Sequence, residues 1–244
     1  MKYMGSKNRI AKDILPIILN GKDEYNCYVE PFVGGCNVID KVDMKNRIGA
    51  DNNEYLIEMF NNLQSGVIDF PDSISKDLYD RARTYFNNGL SNEMSVAMIG
   101  WIGFMASYNG KFFDGGYNGN YKKRDYVAES IKNIRKQISD LKDVKFICSS
   151  YQTLEIPEKS IIYCDPPYQG TTQYNSSKNF NHTAFWEWCR DMSKQGHQVF
   201  ISEYNAPKDF ECVWQKEMTT TINHCGTLKP IEKLYRFKKQ KIGE

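Results

Sequence analysis

The chain has 244 residues and 41% apolar content, enough for one large α/β domain or a domain carrying an insertion. Its formal net charge of only +2 gives weak support for a polyanionic partner, so any such partner must be read from local charge. Seven scattered cysteines without a C-x-x-C pair, His182, His197 and His224 far apart, and no apolar run near the roughly 20 residues that span a bilayer argue against a disulfide framework, a metal centre and a membrane anchor. With no charged-then-apolar leader at the start, the expectation is a soluble protein of the cytoplasm with reduced thiols.

In chain order, Ser6 suits the cap of a helix whose Ile10, Ile14, Ile17 and Ile18 share a face, and Pro16 predicts a kink or an early end. "NCYVE" reads as a short strand, followed by "PFVGG" and a helix through Val38 to Val42. "RIGA" is a second strand ending at Asp51, which makes a β-turn-α-β unit of the kind that builds a parallel sheet. From about Tyr55 to Lys142 helical stretches ("EYLIEMFNNL", "SNEMSVAMIGWIGFM", "YVAESIKNIRKQISDL") surround a loop rich in Gly, Asn and Tyr, "SYNGKFFDGGYNGNYKKRDY". Strands return in "VKFICSS", "SIIYCD" and "HQVFIS", and "VWQKEMTTTI…KLYRFKK" suits a terminal antiparallel hairpin. The predicted architecture is α/β, with one body formed by residues 1–56 and 143–244 and a mainly helical insertion over 57–142.

Charge is unevenly spread over these parts. Trp101 to Lys145 carries nine Lys/Arg against five Asp/Glu, and Lys229 to Lys241 six against one, whereas Asp51 to Asp80 carries seven acids against one Lys. Such segregation places a basic surface against an acidic pocket, or reflects ordinary solvated faces.

Two motifs carry chemistry. In "YVEPFVGGCNV" the pair Gly34-Gly35 lets backbone approach a ligand, and Asp51 stands 17 residues beyond Gly34 at the next strand end. That is close to the roughly 20-residue spacing at which an acid binds ribose hydroxyls in nucleoside-binding α/β folds. The full G-x-G-x-x-G pattern is absent, so a nucleoside without pyrophosphate, such as S-adenosylmethionine, fits better than a dinucleotide. The alternative for Asp51 is a capping acid before "NNEYLIEM".

The second motif is "DPPY", Asp165 to Tyr168, where ligands bind in open α/β sheets, beyond a strand's carboxyl end. Pro166 and Pro167 donate no N–H and hold a stiff extended shape. A carboxylate plus a proline carbonyl accepts from both N–H bonds of an –NH₂ group, and Tyr168 offers a flat face to an aromatic ring. The combination suits the exocyclic amine of a nucleobase, with positioning and dipoles doing the catalysis. A strand-ending turn with a surface acid is the alternative.

At this point the sequence resembles the Dam-like, alpha-group DNA adenine-N6 methyltransferases. "KYMGSK" is similar to their N-terminal cofactor motif, "VEPFVGG" to their glycine motif, Asp51 in "GADNNEYLI" to their ribose-binding acid and "DPPY" to their catalytic motif. The resemblance implies a Rossmann-like S-adenosylmethionine-dependent methyltransferase fold, a mostly parallel sheet with a C-terminal antiparallel hairpin, and an inserted target-recognition domain. It implies that Tyr3 and Lys7 contact the cofactor, that Asp51 holds its ribose, that Glu30, Phe32, Gly34 and Gly35 line the same pocket, and that Asp165 lies where cofactor and target amine meet. Tyr3 as a packing aromatic and Lys7 as a solvated residue are the alternatives. Ser149, Ser150 and Tyr151 fall where the family places a strand flanking the cofactor adenine. Related enzymes acting on cytosine N4 usually carry Ser ahead of Pro-Pro, so Asp165 favours adenine.

The insertion resembles the target-recognition region, the part least like the members that read GATC. Lys111, Lys122, Lys123 and Arg124 are candidates for phosphates, and Asn109, Tyr117 and Asn118 for base edges. "KNFNHTAFW" either closes over a flipped base or is a loop in which Asn181 caps the helix carrying Phe185 and Trp188. The expected partner is double-stranded DNA, with no metal and no membrane, the protein being a monomer or weak dimer in a bacterial cell or phage-infected host. RNA or protein-amide methylation, an inactive DNA-binding homologue and a nicotinamide-dependent oxidoreductase are the rivals. The last is weakened by the missing phosphate loop and by Pro31 in the first turn.

Overall fold

The computed structural model describes residues 1–90, 92–121, 123–170, 180–218 and 231–238. Five short, strongly apolar segments form its parallel strands: β1 (Cys27–Glu30), β2 (Arg47–Asp51), β5 (Val144–Cys148), β6 (Ser160–Cys164) and β7 (Gln198–Ser202). Two longer segments, β8 (Phe210–Glu217) and β9 (Ile231–Phe237), pair antiparallel at one edge. The sheet runs β5-β2-β1-β6-β7-β9-β8, and β9 is also antiparallel to β7. This mostly parallel order with a terminal antiparallel hairpin is that of the expected Rossmann-like methyltransferase fold. A separate two-stranded ribbon joins β3 (Asn120–Tyr121) to β4 (Arg124–Asp125).

Both faces of the sheet are covered, which is why its central strands read as unbroken apolar runs. Along one face the register aligns Ile48, Val29, Ile162 and Val199, and these pack with Phe185, Trp186 and Cys189 of α6 (His182–Lys194). Along the other, Tyr28 and Ile161 join a larger cluster built with α1 (Ala11–Ile18), α2 (Glu54–Ser65), α3 (Lys76–Asn88), α4 (Val96–Ala106) and α5 (Tyr126–Gln137). Position 56/57 lies inside α2, and Phe60 of that helix stacks on Phe146 of β5 at 4.8 Å. The helices of 57–142 therefore share one apolar core with the sheet.

Local chemistry explains most helix ends. Asn53, Ser75, Ser95, Asp125 and Asn181 each cap a helix by accepting a backbone N–H three residues on. Asn181 is thus the cap of the helix that carries Phe185 and Trp188. Ser6 caps only a single 3₁₀ turn, Lys7–Arg9, before α1, and α1 ends two residues after Pro16. The expected helix through Val38 to Val42 is instead a 3₁₀ turn, Ile39–Lys41. Val42 is already extended (φ −81°, ψ 120°), so the chain leaves after one turn, and Gln137 donates to the carbonyls of Gly35 (3.2 Å) and Cys36 (2.9 Å) just ahead of it. Among the described residues no helix is long and apolar enough to cross a membrane, and no cluster of His, Cys, Asp and Glu is placed to hold a metal ion.

Candidate active site

The chain's two halves of the parallel sheet diverge between β1 and β6, so the carboxyl ends of those strands flank a switch point, the usual place for a ligand crevice. A cleft of about 750 Å³ opens there. Its wall includes Tyr3, Lys7, Glu30, Phe32, Gly34, Gly35 and Asp51, together with Asp165, Pro166, Pro167 and Tyr168. Ser149, Ser150 and Tyr151, at the end of β5, border it as well. Residues spread over 165 positions of sequence are thus gathered by the parallel register of β5, β2, β1 and β6.

On one side, Asp51 ends β2. Its Oδ1 accepts from the Asn53 amide (3.0 Å) and its Oδ2 from the Gly34 amide (3.2 Å). Burial raises its pKa, and the backbone N–H groups of Asn53, Gly34 and Asn52 pull it back. A carboxylate has about four lone-pair sites, so beside these backbone donors Asp51 keeps room for a further one, such as a hydroxyl. Asn53 is the residue that caps α2, which leaves Asp51 free of that task.

The glycine pair does something beyond ligand approach. A Cβ on Gly34 would lie 2.8 Å from Cε1 of Tyr3, and one on Gly35 would lie 2.5 Å from its Cβ. The ring of Tyr3 fills that space and stacks on Phe104 of α4 at 5.9 Å, so Tyr3 both packs and lines the cleft. Farther along, Phe32 meets Tyr151 at 5.5 Å and Phe180 at 5.9 Å, which makes an aromatic wall suited to a purine. Glu30 accepts from the Tyr28 hydroxyl at 2.9 Å, and burial pushes its carboxyl well above the usual range.

Asp165 follows β6 directly, with its side chain 23% exposed. Lys7 is only 9% exposed; its ammonium lies 3.2 Å from Asp165 Oδ1, 3.4 Å from Glu232 Oε2 and 4.4 Å from the centre of the Tyr168 ring. Burial lowers the Lys7 pKa, but the two carboxylates outweigh it and leave the group above an ordinary lysine. For Asp165 burial is the largest influence; opposed by Lys7 and reinforced by Glu232, it sets the pKa at about 6. Tyr168 donates its hydroxyl to Glu232 Oε2 at 2.8 Å and meets the Tyr204 ring edge-on at 4.7 Å.

Sequence reading missed Glu203, Tyr204 and Glu232. Buried Glu203 accepts from the Gln169 amide at 3.0 Å and the Tyr204 amide at 2.7 Å, and burial raises its pKa to about 7. Glu232 is brought in only by the antiparallel register of β9 on β7, Ser202 against Leu234, which no local motif announces.

The predicted DNA-contacting residues lie outside the cleft wall. The loop that holds them abuts it: a Cβ on Gly110 would lie 2.4 Å from the Lys2 carbonyl and 3.2 Å from Tyr3 Cα. Lys111 is half-buried, and the Asn118 amide donates to the Ala106 carbonyl at 2.7 Å. Tyr117 donates its hydroxyl to the Ile74 carbonyl at 2.7 Å and packs on Tyr79, so its ring faces the helical layer. Lys123 and Arg124 are exposed. Arg124 makes two 2.8 Å bonds to Glu129, and it shares the Tyr126 ring with Lys2 at 4.9 and 5.2 Å. Beside Asn109, whose φ is +55°, Tyr108 is 53% exposed. Lys122 lies outside the described residues.

Comparison with known proteins agrees with this geometry. The chain is 29% identical to a DNA adenine methylase of Haemophilus influenzae, over 99% of this chain and 85% of the relative. It is 25% identical to the DNA adenine methylase of Escherichia coli K12, over 83% and 74%. It is 22% identical to the type II methyltransferase M.FokI of Planomicrobium okeanokoites, over 78% of this chain but 31% of that protein. The sequence profile of the D12 class N6 adenine-specific DNA methyltransferases matches residues 3–224, nearly the whole chain, and the chain belongs to that family.

Proposed function

We propose that the cleft binds S-adenosylmethionine and that the chain transfers its methyl group to the N6 amine of an adenine flipped out of a short duplex DNA motif. The observation that carries this reading is the meeting, in one cleft, of Asp51 with spare acceptor room and Asp165 with a perturbed carboxylate. The residues fit the cofactor: Asp51 suits the ribose hydroxyls, the wall of Phe32 and Tyr151 suits the adenine, and Glu30, Gly34, Gly35, Tyr3 and Lys7 complete the pocket. When bound, S-adenosylmethionine supplies an electrophilic methyl group on a sulfonium centre.

The chain's own part is to orient and polarise the amine. Adenine N6 is a poor nucleophile because its lone pair is delocalised into the ring. Asp165, ionised above about pH 6, accepts one N–H, and a carbonyl of the Pro166-Pro167 pair accepts the other. These bonds favour a pyramidal amine whose lone pair points at the methyl group. Flipping a base costs a few kcal/mol, and stacking on Tyr168 at roughly 1–3 kcal/mol offsets much of it.

In this reading residues 1–56 and 143–244 form the catalytic body and 57–142 the target-recognition region, with Lys111, Asn118, Lys122, Lys123 and Arg124 on DNA. The exposed Tyr108 beside Asn109 supports placing DNA against that loop. A cytoplasmic setting in a bacterial cell or phage-infected host suits such an enzyme. The test is incubation of an unmethylated plasmid with purified protein and labelled cofactor, with modified adenines mapped by single-molecule sequencing. Methyl groups on adenine in one short motif are expected. Asp165→Ala is expected to lower transfer at least a hundredfold, a loss of about 2.7 kcal/mol or more, while titration still shows cofactor binding. Labelling of structured RNA alone, or full activity of Asp165→Ala, overturns the reading.

A further inference from the structure

Two partly buried carboxylates share a single ammonium at the proposed transfer site. Lys7 stands almost midway between Asp165 Oδ1 (3.2 Å) and Glu232 Oε2 (3.4 Å), and neither carboxylate is more than a quarter exposed. The same Glu232 oxygen takes the Tyr168 hydroxyl at 2.8 Å. Glu232 belongs to the terminal hairpin, far in sequence from every motif that marks this site.

The geometry points to Glu232 as a positioning residue for methyl transfer, one that holds Tyr168 in place and draws half of Lys7 away from Asp165. This deepens the proposed function and rests on it. With Asp165 as the only carboxylate, Lys7 would neutralise it as a complete ion pair and occupy the oxygen needed by the amine. Adding Glu232 leaves the trio with one net negative charge. Positive charge resides first on the sulfonium donor; as the nitrogen lone pair forms the new N–C bond the S–CH₃ bond would break with its electron pair left on a neutral thioether, and the charge would pass to the amine until it gives up a proton to solvent. A fixed net negative charge on the amine side of that path gains most as the positive charge moves onto the nitrogen that Asp165 holds, and most so where water is excluded. The hydroxyl bond has a second effect: it pins the far end of the Tyr168 ring, which would otherwise turn about its own axis against the incoming base.

Glu232→Gln keeps shape and an acceptor for Tyr168 but removes the charge, so it separates the two effects and is the variant least able to disturb folding. The single-turnover rate on an unmethylated plasmid, at saturating DNA and cofactor, is expected to fall about tenfold or more in Glu232→Gln, and further in Glu232→Ala. Cofactor affinity by calorimetry should stay within about threefold of wild type, a split that simple structural damage would not give. Without any substrate, a urea-unfolding cycle of Tyr168→Phe and Glu232→Ala should be non-additive, since each removes the same bond. An additive cycle overturns the contact. A Glu232→Gln single-turnover rate within about twofold of a working wild type overturns the role. A wild type that leaves DNA unmodified refutes the functional reading first, and the role with it.

Discussion

In the proposed function Asp165 acts as an acceptor while sitting where burial favours its protonated form. Burial wins in part, and the pKa stands at about 6 although Lys7 pulls it down. Protonation turns the acceptor into an O–H donor, so the sign is fixed: transfer is lost as pH falls through about 6, not through about 4 as for an ordinary aspartate. Glu203, at about 7, adds to the same limb, because its neutral form holds the Gln169 and Tyr204 amides less firmly. The expected result is a kcat/KM for cofactor that rises between about pH 5 and pH 7, a quantity that reports the cofactor-free enzyme. A profile flat down to about pH 5 would contradict it. At this scale the sequence was legible wherever a functional side chain follows directly on a strand. The place of Asp51 and Asp165 on the cleft wall is legible because a parallel strand delivers its end to the crevice, and "DPPY" marks the end of β6. Glu232 was hidden because its place depends on which strand β9 pairs with, and "PIEKLYRF" contains nothing that says so.

The central strands β6 and β7 are readable as elements because burial on both faces leaves no polar alternation to confuse them. Helix α3 escaped notice for the opposite reason: its sequence, KDLYDRARTYFNN, is mostly polar, and only Tyr79 and Ala82 are buried. The Ser75 cap and Gly89 in the left-handed region were its only signals. The turn at Ile39–Lys41 reads as a helix in sequence because what ties it down, the side chain of Gln137 in α5 on the Asp40 carboxylate, is a tertiary contact that no local pattern carries. Helix α4 shows how closely these layers fit. It is buried nearly all round, and a Cβ on Gly100 would sit 2.1 Å from the Tyr55 backbone oxygen and 3.3 Å from Met59 Cβ. Gly100→Ala gains about 1 kcal/mol of helix propensity, yet it forces α2 and α4 apart, an overpacking that costs about 1–3 kcal/mol or more. Contact with backbone cannot be relieved by a rotamer change, so the net sign is destabilising. Gly103→Ala meets Phe112 and Phe113 side chains at 2.6–2.9 Å, which can turn aside, and should cost less. Urea midpoints compare the two, and equal or reversed losses would refute this view of the α2–α4 contact.

For the whole molecule, the nearly neutral formal charge conceals an asymmetry that matters only once the chain is folded. The loop after α4 abuts the N-terminal segment through Gly110, and Lys2 and Arg124 converge on the Tyr126 ring, so basic residues far apart in sequence form one surface beside the cleft. The shared core makes that surface rigid with respect to the sheet, as a flipped base reaching Asp165 would require. If DNA lies along it, binding releases counterions, and log Kd changes with log salt by about 0.9 for each phosphate neutralised on duplex DNA. Lys123 is exposed and free to serve at full weight, whereas Arg124 must first release Glu129, to which it makes two 2.8 Å bonds. Exchanging one carboxylate for one phosphate changes little, so Arg124 should contribute less than a full contact. Replacing Lys122, Lys123 and Arg124 together by Ala should therefore lower the salt slope by roughly 2 rather than the nearly 3 of three independent contacts. Lys194→Ala, on α6 across the sheet, should leave it unchanged. Fluorescence anisotropy with a labelled duplex at several salt concentrations reads both slopes. Weaker binding at an unchanged slope in the triple variant would mean that the segment acts on folding rather than on phosphates, and would move the DNA track elsewhere on the molecule.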